Sequence, residues 1–151
     1  MLTINTQAPQ FTINDQNGNP FQFPVKGKTN ILFFYPKDNT PGCTAEACSI
    51  RDAYSDFVKK GIEVIGISPD SEKSHQKFIE KQNLPFTLLA DSDKTAANLY
   101  EAWGKKKFMG REYEGVFRTT FVIDASGMIT HIIDKVDTKD AAKQLFEILE
   151  A

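Results

Sequence analysis

The chain is poor in the residues that build metal centres and disulfide scaffolds. Its 151 residues include two cysteines, two histidines and one tryptophan. Two cysteines cannot form the dense framework of a small secreted protein. His75 and His131 lie far apart, so no metal-ligand cluster is evident and no metal is expected. Each histidine is expected to be a surface or strand residue. There is no Cys-x-x-Cys, the signature of a thioredoxin-type disulfide exchanger. No apolar run approaches the ~20 residues of a membrane helix. A net charge of −2 lacks the basic footprint of nucleic-acid binding. Residues 1–9 carry no positive n-region followed by a long apolar stretch, so no signal peptide is read and a cytoplasmic address is expected. Repeats, low-complexity segments and linkers are also missing, and one domain over 1–151 is expected.

With 40% hydrophobic and 25% charged residues, the composition is that of a soluble globular chain. Phe11–Asp15 and Phe21–Phe23 alternate around Asn17-Gly18, which predicts an N-terminal β-hairpin. Pro20 and Pro24 make it an edge element. Ile31–Tyr35 is a continuous apolar run, as in a strand buried on both faces. Apolar spacing predicts a helix over Thr44–Lys60, ending at Gly61. Then come a strand over Glu63–Ser68, a polar helix over Ser71–Gln82 and a strand over Phe86–Ala90. A helix is predicted over Asp93–Trp103, with Asp93 as its N-cap. Thr119–Asp124 and His131–Val136 flank the Ser126-Gly127 turn, and Asp140–Leu149 reads as a closing amphipathic helix. This order predicts an α/β fold with helices on both faces of a central mixed sheet, compatible with a thioredoxin-like sheet.

The chemically informative stretch is Tyr35–Cys48, which joins a buried strand to a helix. Sites in open α/β sheets lie beyond the carboxyl ends of strands, where this loop falls. Thr40 suits an N-cap and Pro41 the first helical position. Cys43 then sits in the first turn, where free N–H groups and the helix dipole favour a thiolate. Gly42 lets the backbone approach whatever binds the sulfur. Residues five apart on a helix rise ~7.5 Å and rotate ~140°, which separates their Cα atoms by roughly 8.6 Å. A disulfide needs Cα atoms within ~6.8 Å. If Cys43 and Cys48 share one helix, a bond between them requires that helix to unwind.

On residue types alone, three classes remain open. The pair serves a peroxidase, or a thiol–disulfide exchange protein or redox sensor, or it is two small buried hydrophobes in a binding module. Lys105–Lys107 reads as a solvated basic run, Glu46 as a solvated carboxylate near the helix start, and Phe117 and Phe121 as core packing.

Pro36-Lys-Asp-Asn-Thr40-Pro-Gly-Cys43 resembles the Pro-x-x-x-Thr-x-x-Cys signature of the peroxiredoxins. Thr44-Ala-Glu-Ala-Cys48 looks like the bacterioferritin comigratory protein/peroxiredoxin Q subfamily, which places a second cysteine five residues on. The similarity continues in Ala8-Pro-Gln-Phe, Ile65-Gly-Ile-Ser68, Trp103-Gly, Tyr113-Glu-Gly and Arg118-Thr-Thr-Phe-Val-Ile-Asp124, and so spans nearly the whole chain. It implies a thioredoxin-like fold and a thiol-dependent peroxidase that needs no cofactor. It implies that Cys43 is the peroxidatic cysteine and Cys48 the resolving one. Thr40 and Arg118 would then form the peroxide pocket, shielded by Pro36. It further implies hydrogen peroxide and organic hydroperoxides as substrates, thioredoxin as reductant, and a monomer.

A free thiol of pKa ~8.5 is about 3% ionised at pH 7, so complete ionisation gains at most ~30-fold in rate. Any larger acceleration must come from stabilising the oxygen that leaves as the peroxide bond breaks. Arg118 and first-turn N–H groups suit that task.

Overall fold

The structure is a computed structural model that describes residues 2–150. Met1 and Ala151, the ends of the expected domain, lie outside the described residues. The N-terminal hairpin forms as expected from β1 (Phe11–Asn14) and β2 (Pro20–Phe23), apart from the main sheet. The central sheet contains β3 (Thr29–Phe34), β4 (Ile62–Ser68), β5 (Thr87–Ala90), β8 (Thr119–Ile123) and β9 (Ile129–Ile133), in the order β5-β4-β3-β8-β9. β3, β4 and β5 pair in parallel, whereas β8 and β9 are antiparallel additions.

Successive side chains of a strand point to opposite faces, and the apolar run of β3 serves both. Ile31, Phe33 and Tyr35 enter one core, whereas Leu32 and Phe34 enter the other. The first core is covered by α1 (Pro41–Asp52), α2 (Tyr54–Lys59), α3 (Glu72–Gln82) and α5 (Ala141–Glu150). The second is covered by α4 (Thr95–Leu99) and the β1–β2 hairpin. The sheet is therefore mixed, with helices on both faces, in the thioredoxin-like arrangement.

Three expectations need correction. The helix predicted over 44–60 begins earlier, at Pro41, and breaks at Ala53. Alanine is an excellent helix former, so its propensity does not mark the break; beyond it, Phe57 of α2 stacks on Phe146 of α5, with ring centroids 4.5 Å apart. The helix predicted over 93–103 is only the five residues of α4. Its N-cap position is Lys94 rather than Asp93; Asp93 accepts the Thr95 N–H at 3.3 Å, and buried Asp91 accepts the backbone N–H groups of Ala96 and Ala97. Glu101, with φ of 57°, ends the helical path.

The chain then enters a hairpin that periodicity did not predict, β6 (Trp103–Phe108) and β7 (Arg111–Val116). Met109 and Gly110 both take positive φ, as a tight two-residue turn requires. Lys105 and Lys107 face Glu114 and Glu112 across the ladder. The basic run is thus one side of a charge-paired hairpin.

Gly66 of β4 sits between its register partners Phe33 and Leu88. A Cβ there would lie 2.7 Å from both Phe33 Cζ and Leu88 Cδ2. Gly66→Ala is therefore expected to destabilise the protein by about 1–3 kcal/mol through overpacking. Urea unfolding measures this, and an unchanged midpoint would contradict the close packing described.

Candidate active site

The loop after β3 and the first turns of α1 bring the site together. Thr40 is the N-cap by backbone position, Pro41 opens α1, and Thr44 N–H donates to the Thr40 carbonyl at 2.8 Å. The Thr40 side chain does not cap the helix. Its Oγ1 donates to the Lys37 carbonyl at 2.9 Å, which spends the hydroxyl proton and leaves the oxygen as an acceptor. Pro36 is half-buried at the start of the same loop.

Cys43 is 2% exposed and packs into the first core. Its sulfur is not in a purely apolar environment. Arg118 Nη2, from the segment between β7 and β8, donates to Cys43 Sγ at 3.2 Å. Gly42 permits this approach, since a Cβ there would lie 3.3 Å from Arg118 Nη2. Sequence positions 75 residues apart are joined because β8 pairs directly with β3.

The other arm of the guanidinium is occupied by Glu46. Arg118 Nη1 donates to Glu46 Oε1 at 2.8 Å. Glu46 is buried, which corrects its expected place as a solvated carboxylate. It lies three residues after Cys43, on the same side of α1, so both reach one guanidinium. Glu46 Oε2 is buried with no hydrogen-bond partner among the described residues. Burial is the dominant influence on this carboxyl and raises its pKa to about 7, against the opposing pull of the Arg118 charge. For Arg118, burial opposes the charge, but the Cys43 sulfur and the Glu46 carboxylate outweigh it and hold the guanidinium charged.

Cys48 lies on the same uninterrupted α1 and is half-buried. Both thiols are free. Cys48 Sγ donates to Gln82 Oε1 at 3.4 Å, and Arg51 Nη1 donates to the Gln82 carbonyl at 2.7 Å. Beside Arg118 runs a groove of about 550 Å³, with Leu2, Tyr100, Phe117, Phe121 and Ile132 among its walls. Phe121 is core, as expected, whereas Phe117 is partly exposed on the groove.

Sequence reasoning missed one buried polar cluster. Asp38, within the signature loop, contacts His75 of α3 at 2.7 Å. His75 is fully buried rather than at the surface, whereas His131 lies on β9 as expected. The available signal was an acidic residue inside the loop, but nothing local indicated its partner. No group of three or more His, Cys, Asp or Glu suited to a metal ion occurs among the described residues.

Glu46 gives the site a pH signature. Folding raises its pKa from 4.5 to about 7, so between those values the folded state binds more protons than the unfolded state. Its contribution to stability therefore falls as pH rises from about 4.5 to about 7 and is level above. The loss is on the order of 3 kcal/mol. Urea midpoints across this range should show that slope in the parent and lack it in Glu46→Gln. Identical slopes in both proteins would exclude Glu46 as its source.

Comparison with known proteins agrees with the site. Residues 4–132 match the AhpC/TSA family. Peroxiredoxin Bcp of Bacillus subtilis is 41% identical over 150 residues, covering 99% of this chain and 96% of that protein. Peroxiredoxin Bcp of Escherichia coli is 41% identical over 134 residues, covering 88% of this chain and 86% of that protein. The crystal structure of peroxidoxin BcpB from Mycobacterium tuberculosis superposes with a TM-score of 0.87 at 30% identity, covering 99% of this chain and 97% of that one. The bacterioferritin comigratory protein of Xanthomonas campestris, described by its alkyl peroxide reduction activity, gives 0.86 at 28% identity, covering 93% and 90%. With a guanidinium against a helix-start thiol, the thioredoxin-like sheet behind it and these relatives, the chain belongs to the AhpC/TSA family, among the bacterioferritin comigratory protein/peroxiredoxin Q peroxiredoxins, which are thiol-dependent peroxidases.

Proposed function

We propose that Cys43 is the peroxidatic residue and that Cys48 resolves its oxidised form within the same chain. The observation that carries this reading is the 3.2 Å contact between Arg118 and the Cys43 sulfur. The Cys43 thiolate attacks one peroxide oxygen, and the O–O bond breaks. The other oxygen leaves with its electron pair, takes a proton and departs as water or alcohol. Cys43 is then a sulfenic acid. The charge that develops on the leaving oxygen faces Arg118 and the N–H groups at the open end of α1, already oriented before the reaction. Thr40 Oγ1, with its own proton committed to Lys37, accepts from the hydroperoxide O–H. Pro36 shields the loop side. The groove beside Arg118 supports organic hydroperoxides as substrates alongside hydrogen peroxide, because its apolar walls suit an alkyl group.

Cys48 Sγ next displaces hydroxide from the sulfenic sulfur, water is released, and a Cys43–Cys48 disulfide forms. Both residues lie on α1, so this step unwinds the helix between them. An external dithiol of the thioredoxin class reduces the disulfide and is itself oxidised. Because both thiols are on one chain, a monomer completes the cycle, and the reducing cytoplasm is its expected setting.

Stoichiometric hydrogen peroxide added to the reduced protein should remove the mass of two hydrogens from the intact chain within the mixing time of a rapid-quench experiment. Cys43→Ser should consume peroxide no faster than buffer. Cys48→Ser should react in its first step but stop at a product one oxygen heavier. Loss of that first step in Cys48→Ser would reverse the assignment. Separately, amide hydrogen exchange over residues 40–52 should accelerate in the disulfide form. Unchanged protection in a verified disulfide would rule out the unwinding.

A further inference from the structure

The Pro36–Thr40 loop is held by a buried polar cluster that the chemistry above does not use. Asp38 is its centre. Tyr35 Oη donates to Asp38 Oδ1 at 2.6 Å, while Ser74 Oγ and His75 Nδ1 each contact Oδ2 at 2.7 Å. The Asp38 backbone N–H donates to Asp70 Oδ2 at 2.6 Å. On the far side of the ring, His75 Nε2 contacts the Leu89 carbonyl of β5 at 2.8 Å. Both ring nitrogens face oxygen atoms, so the imidazole is held from both sides. The two side chains are 0% and 1% exposed. Burial alone would push the Asp38 carboxyl up. The His75 bond and charge, with the Tyr35 and Ser74 bonds, outweigh it and hold the group below its ordinary value.

The location of this cluster decides its consequence. Asp38 lies two residues after Pro36 and two before Thr40. Asn39, between Asp38 and Thr40, takes the left-handed region at φ of 61°. A turn with such a residue must be held by its neighbours. The neighbours here come from the end of β3, the segment after β4, the first turn of α3 and β5. The loop that presents Thr40 and starts α1 is thereby fixed to three elements of the sheet-and-helix framework.

We infer that Asp38 and His75 are positioning residues for the peroxide reaction: their buried 2.7 Å contact sets the Pro36–Thr40 loop, and so the place of the Thr40 acceptor relative to Cys43 Sγ and Arg118. The inference rests on Cys43 being the peroxide-reacting thiol. Neither residue contacts that sulfur. They act on orientation, which matters because a misplacement of about 1 Å can cost on the order of a hundredfold in rate. Two electrophiles separate orientation from general damage. Hydrogen peroxide needs Thr40, Arg118 and sulfur in mutual alignment, whereas iodoacetamide needs only an available sulfur.

The test measures both second-order rate constants at Cys43 in a Cys48→Ser background, at a temperature below unfolding of every variant. Asp38→Asn, His75→Gln and the double variant are each expected to lower the peroxide rate by at least about tenfold. Alkylation should stay within about twofold, and the double variant should lose no more than the larger single, as for residues acting as one unit. Ser74→Ala removes one bond to Asp38 with little disturbance of packing. It should lower the peroxide rate about threefold, with Ser74→Thr restoring it through the retained hydroxyl. If Asp38→Asn or His75→Gln does not fold, the Ser74 pair decides alone. Equal losses of peroxide reaction and alkylation would overturn the inference, as would peroxide rates equal to the parent. A parent protein that itself fails to react with peroxide would instead refute the peroxidatic role of Cys43, so the two failures are distinct.

Discussion

One guanidinium organises the site. Arg118 bridges a sulfur and a carboxylate that α1 presents three residues apart; the sulfur and the carboxylate are buried, and the guanidinium side chain is partly exposed. A buried charge is costly unless paired and hydrogen-bonded, and here the pairing is unequal. One Glu46 oxygen is satisfied and the other is not, and burial raises the carboxyl to about 7, so it is about half protonated near neutral pH. The less negative charge Glu46 holds, the more of the Arg118 field is directed to the sulfur. In the proposed reaction this arrangement stabilises the developing anion, because its donors are oriented before the reaction begins.

A single helix supports both ends of the reactive segment. The first turn of α3 meets the peroxidatic loop through Ser74 and His75, and its last residue, Gln82, receives Cys48 and Arg51. The two attachments differ in strength. The loop end is a buried carboxyl contacted by Tyr35, Ser74 and His75 at 2.6–2.7 Å. The Cys48 end is one long bond from a weak thiol donor, on a half-buried residue. A segment held firmly at the loop and loosely at the second thiol is suited to unwinding from the Cys48 side.

Much of this organisation was legible in the residues. The apolar run of β3 required burial on both faces, and Thr40-Pro41-Gly42-Cys43 marked a helix start carrying a thiol. These features are local: turn chemistry, capping preference and periodicity act over a few residues. The β6–β7 hairpin was hidden because its strands are charged and lack apolar alternation, and the break at Ala53 because no breaker residue marks it. Glu46 was misplaced because helical position alone says nothing about which face a distant arginine will cover.

By itself, then, the sequence determined the strand–helix order apart from the break at Ala53 and the β6–β7 hairpin, the two-faced central strand and the five-residue spacing that prevents the cysteines from bonding within an intact helix. Those follow from backbone geometry, which every chain shares. Only the tertiary structure decided which charges meet. Antiparallel pairing of β8 with β3 carries Arg118 to Cys43, and α3 packed beside the sheet carries His75 to Asp38. Such partners are selected by the burial of apolar faces far from either residue, and no local pattern encodes that choice.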